Sequence, residues 1–130
     1  MTALELAPAI AAGVMVLVLV GLAVLQVLVA AGRPYGRLVW GGQHETLPRR
    51  LRIGSIISVG VYVVFGLIAV ARAGAFGEPG PVVVVAAWVL AGYFALAILV
   101  NGISRSRLER AVMTPVCVVL AACSFVLALS

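Results

Sequence analysis

The stretch Arg33–Arg52, RPYGRLVWGGQHETLPRRLR, decides how the whole chain is read. It holds five of the nine arginines, the lone histidine (His44), Glu45 and one of the two tryptophans, Trp40. The sequence on either side is long, apolar and free of charge. Pro8–Ala31 precedes it without a charged residue, and Ile53–Ala71, Pro81–Asn101 and Ala111–Leu129 follow in the same manner. A bilayer core of about 30 Å is crossed by roughly 20 helical residues rising about 1.5 Å each, so every one of these runs suffices. Many of their residues are valines, which favour strands in water. Within lipid, however, only helices and closed barrels satisfy their own backbone. The runs lack the period-two alternation of a barrel. The expectation is an all-α, four-transmembrane-helix membrane bundle forming one domain over residues 1–130.

Composition agrees. The chain is 65% hydrophobic and 10% charged, with a mean hydropathy of +1.26, outside the range of water-soluble domains. A core of 130 residues has too little interior to hide that much apolar surface from water. The net charge of +5 is all arginine, with lysine and aspartate absent. It falls in the connections, so it reads as a topology and lipid signal rather than a nucleic-acid surface. The first apolar run has no basic residue before it and is longer than the apolar part of a signal peptide, so it reads as a retained helix.

Five arginines lie between the first two runs, three (Arg105, Arg107, Arg110) between the last two, and only Arg72 on the opposite side. By the positive-inside rule both arginine-rich connections are cytoplasmic, and both termini are extracytoplasmic. This bias of eight to one opposes a dual-topology dimer. Arg49, Arg50 and Arg52 then sit at headgroup level, with Tyr35 and Trp40 as an aromatic belt. Pro48 suits the first turn of the second helix. Ser106 and Glu109 match the S-x-x-E capping box at the start of the fourth. Gly- and Pro-rich Arg72–Gly80 makes the second and third helices an antiparallel hairpin, and Pro115 is expected to bend the fourth.

Each helix carries a stripe of small or polar residues at spacings of three and four. They are Ala12, Leu19, Ala23, Gln26 and Ala30; Gly54, Ser58, Tyr62 and Gly66; Tyr93, Ala97 and Asn101 beside Ala87, Ala91 and Ala95; and Thr114, Cys117, Ala121, Ser124 and Ala128. Such stripes let helix backbones approach, within one bundle or between copies in a homo-oligomer. The alternative is a polar site lined by Gln26, Ser58, Tyr62, Asn101 and Thr114. No ionisable group falls in the middle of any run, whereas ion-driven transporters place one there. Exporters of this size carry a glutamate in their first helix, where this chain has only Gln26.

His44 and Glu45 are too few for a zinc site, and no cofactor motif is present. Cys117 and Cys123 lie about 9 Å apart along one helix and cannot pair. Trp40–Gly41–Gly42 reads as a flexible elbow that lets the loop lie on the membrane, or as a turn aiming amides at a phosphate.

The stretches WGGQHETLPRRLR, NGISRSRLER and MTP resemble those of a group of small four-helix bacterial membrane proteins. The resemblance implies the four-span layout and carries no substrate or reaction. Two functions stay open. One is a non-enzymatic accessory or interaction subunit. Its arginine face, with Trp40, His44, Glu45, Arg49, Arg50, Arg52, Arg105 and Arg107, would engage anionic lipid headgroups or a membrane-protein partner. The other is an oligomeric transporter or channel for a small neutral or weakly polar solute. A lipid-modifying enzyme using His44 and Glu45 is a distant third.

Overall fold

The computed structural model describes residues 2–130. Four helices account for most of them: α1 Ala3–Ala30, α2 Arg49–Arg72, α3 Pro81–Gly102 and α4 Arg107–Leu129. They have 28, 24, 22 and 23 residues, and each is long and apolar enough to cross a membrane. No strand occurs among the described residues.

The helices extend beyond the charge-free runs because polar residues cap them. Thr2 and Glu5 form a reciprocal capping box that starts α1 five residues before Pro8. Pro48 is the N-cap of α2 rather than its first helical residue, so Arg49, Arg50 and Arg52 belong to the helix and not to the loop. Ser106 caps α4 by accepting the Glu109 amide at 3.2 Å. The box expected there is only half formed, because the Glu109 carboxylate binds elsewhere. α4 runs on through Pro115 as one helix.

Around the bundle the order is α2, α1, α4, α3, with α1 packed on α2 and on α4, and α3 on α4. The hairpins are therefore α1–α2 and α3–α4. The turn between α2 and α3 is short, as expected, but these helices touch least of all sequential pairs. They meet through Phe65, whose ring centroid lies 5.3 Å from Tyr93 and 5.5 Å from Phe94.

The larger core occupies the half near the termini, and a smaller one of Val29, Val39, Leu47 and Met113 lies at the arginine-bearing end. In the larger, Ala11, Ala12, Met15 and Leu19 of α1 pack with Ala69, Leu90, Phe94, Leu120, Ala121 and Leu127. Ser124 donates within α4 to the Leu120 carbonyl at 2.7 Å, and the same hydroxyl lies 3.7 Å from Met15 Sδ. Small residues of the α1 and α4 stripes are spent inside this bundle, where close approach lets backbone and side chains pack without lipid between them. Leu17, Val63, Val89 and Leu96 point outward, as a lipid solvent allows.

Candidate functional site

The connection between α1 and α2 is a folded plug rather than a flexible elbow. Trp40, Gly41 and Gly42 take φ of 53°, 75° and 68°, a left-handed run that only glycine adopts without strain. This turn presents the Gly41 amide to the Glu109 carboxylate at 3.0 Å. It also lets Arg37 donate to the Gly42 carbonyl at 2.7 Å, and Ser106 Oγ donate to the Arg37 carbonyl at 2.7 Å. A Cβ on Gly42 would fall inside the Ser106 side chain. Thus the turn does aim an amide at an anion, but the anion is the protein's own carboxylate.

Trp40 anchors the plug on α2. Its indole N–H donates to Ser55 Oγ at 3.0 Å, and Ser55 is fully buried. The ring lies on Gly54, where a Cβ would come within 2.8 Å of it. Gly54 belongs to the α2 stripe, but its contact is this indole rather than another helix.

Beneath the plug lies a cavity of about 350 Å³ with walls from all four helices. Gln26, Ser58, Tyr62 and Asn101 line it, as do Glu109 and Cys117. Gln26 and Tyr62 both touch and surround space: Gln26 Nε2 donates to the tyrosine hydroxyl at 3.3 Å. Asn101 Nδ2 donates to the Ala97 carbonyl at 2.8 Å and approaches Cys117 Sγ at 3.4 Å. Ser58 donates back to the Gly54 carbonyl at 3.0 Å. Thr114 does not line the cavity; its hydroxyl is buried without a partner elsewhere on α4. Phe94 and Leu120 separate the space from the terminal core, and Trp40 and Gly41 close it above. Tyr93 and Val100, on its α3 wall, are more than half exposed.

Two buried groups stand out, Gln26, which the sequence marks by its polarity, and Glu109, which it does not. Gln26 is 93% buried, and its Oε1 has no partner. Such a group costs about 1–3 kcal/mol when left dry. Glu109 is equally buried, at 5% exposed, and its carboxylate is on the cavity wall. Its place two residues before the last charge-free run made it look like an interfacial cap. Nothing local marks a carboxylate that bonds an amide 68 positions away.

The arginines divide into groups. Arg37, Arg105 and Arg107 share a depression of about 460 Å³ above the plug, with Gly41, Gly42 and Gln43. Arg49 and Arg52 head an apolar groove between α1 and α2, lined by Val27, Ala30, Ile53 and Ile56. Arg50 is exposed and lines neither. Bonds from Arg37, Arg52 and Arg110 go to backbone carbonyls, which fix the side chains without cancelling their charge. His44 and Glu45 serve through their backbone: both carbonyls crowd Gly36, and the Glu45 carbonyl accepts its amide at 2.8 Å. Both cysteines are free thiols.

These elements define a four-helix membrane bundle with a plugged polar cavity at its arginine-bearing end. The chain matches no family model, no curated protein and no solved structure.

Proposed function

We propose that this is a non-enzymatic membrane protein whose arginine-bearing end lies in the cytoplasm and holds anionic lipid headgroups. The observation that carries this reading is the convergence of Arg37 from the α1–α2 connection, Arg105 from the α3–α4 connection and Arg107 from the first turn of α4 on one depression whose lining contains no acid. A second feature supports it. Arg49, Arg50 and Arg52 crowd the first turn of α2, which has no acidic residue. Cations there oppose the positive end of the helix dipole, so an anion beside Arg49 and Arg52 would be favoured. The apolar groove below those two arginines suits the upper part of an acyl chain.

Each arginine near an anionic surface contributes about 1 kcal/mol, so three together contribute about 3 kcal/mol, roughly a hundredfold in affinity. The test is native mass spectrometry of protein released from mixed phosphatidylglycerol–phosphatidylcholine nanodiscs. The wild type should retain phosphatidylglycerol preferentially. The triple variant Arg37→Gln, Arg105→Gln, Arg107→Gln should lose that preference, whereas equal retention by both proteins would defeat the reading.

The cavity favours a second reading, a carrier or channel for a small solute. Flux in liposomes that Asn101→Leu abolishes would support it. Absence of flux in the wild type would remove it.

A further inference from the structure

The geometry points to the cavity beneath the plug as a binding site for a primary ammonium group carrying an apolar body. This inference stands on the cavity alone and not on the arginine face. Two acceptors face the space. Glu109 engages Gly41 through one oxygen, and no protein donor occupies the other. Asn101 commits its amino group to Ala97 and Cys117, which turns its carbonyl oxygen free. Gln26 lines the space as well, but its Oε1 is buried away from it and unpartnered.

Glu109 and Asn101 both present acceptors, which select a ligand that donates. An ammonium offers N–H donors and no acceptor, which suits two unpaired oxygens with no protein donor on them. Charge agrees with hydrogen bonding. No arginine lines the cavity, so Glu109 is its only formal charge. Trp40, Tyr62, Tyr93 and Phe94 supply aromatic faces, which attract a cation and accept an apolar body. A volume of about 350 Å³ holds a small organic molecule.

The ammonium could come from a free amine or from an aminophospholipid headgroup, and the experiment separates them. Protein carrying Trp88→Phe, which leaves Trp40 as the sole indole, is placed in phosphatidylcholine nanodiscs. Its emission is titrated with phenethylammonium and with 2-phenylethanol, the neutral counterpart. Phenethylammonium should bind saturably, and the alcohol at least about tenfold more weakly, as loss of a charge-assisted bond implies. Glu109→Gln, which keeps an acceptor for Gly41, should weaken the ammonium by about tenfold or more and leave the alcohol unchanged. Asn101→Leu, which does not touch the plug, should weaken the ammonium as well. Equal affinity for ammonium and alcohol, no saturable binding, or full affinity in both variants would overturn the assignment. In discs containing phosphatidylethanolamine, a raised apparent Kd for phenethylammonium would name the lipid headgroup as occupant. An unchanged Kd would name a free amine.

Discussion

The two halves of this bundle are built on opposite terms. Toward the termini, α1, α3 and α4 close on one another through Ala12, Ala91, Ala121 and Leu120, and little there is polar apart from Ser124. Toward the arginines the same helices stand around a space, and the order comes from a small apolar cluster of Val29, Val39, Leu47 and Met113 together with hydrogen bonds that the α1–α2 connection makes to α2 and α4. In lipid, apolar packing gains only from shape, since the solvent is as apolar as the side chains. The arginine-bearing half therefore depends more heavily on a few long-range bonds, and single substitutions should distinguish the halves.

The largest effect should come from Gly42→Val. It forces a β-branched residue into a left-handed backbone and drives a side chain into Ser106, at a cost of about 3 kcal/mol. The check is the unfolding midpoint in detergent, and a midpoint equal to wild type would show that the plug is not held as described. Next is Leu120→Ala at the boundary between the halves. A loss of about 2 kcal/mol is expected, at the low end for such truncations because packing rather than transfer from water is lost. Ser55→Ala should cost about 1 kcal/mol by leaving the Trp40 indole without its acceptor, and should shift the Trp40 emission. The smallest effect belongs to Gln26→Leu. Removing an amide with an unpartnered oxygen should leave stability unchanged or slightly raised, in contrast to Leu120→Ala. A large destabilisation there would mean that Gln26 cements the bundle through its bond to Tyr62.

The sequence made the terminal half legible and the other half only in outline. Uninterrupted apolar runs and the alanine and serine stripes report helix number and packing faces, because both are repeated local signals. The T-x-x-E cap at Thr2 and Glu5 was equally local, but it lies outside the charge-free run that set the first boundary. Gln26, Ser58, Tyr62 and Asn101 were found by their polarity on apolar helices, and the structure brings them together; Thr114 shared that signal but not the location. Glu109 went unrecognised because its role depends on where the Trp40–Gly42 turn folds. That turn's three left-handed residues give no hint of their partner. Gly54 shows the same limit, since a small residue spaced for helix packing accommodates an indole instead.

The most direct test of a hollow arginine-bearing half above a solid terminal half is cysteine labelling in a background with Cys117→Ala and Cys123→Ala. Asn101→Cys and Leu19→Cys are each exposed to a small cationic methanethiosulfonate in nanodiscs. Position 101 should be modified readily, and faster by the cationic reagent than by its anionic counterpart, while position 19 stays protected. Equal protection of both positions would contradict the account.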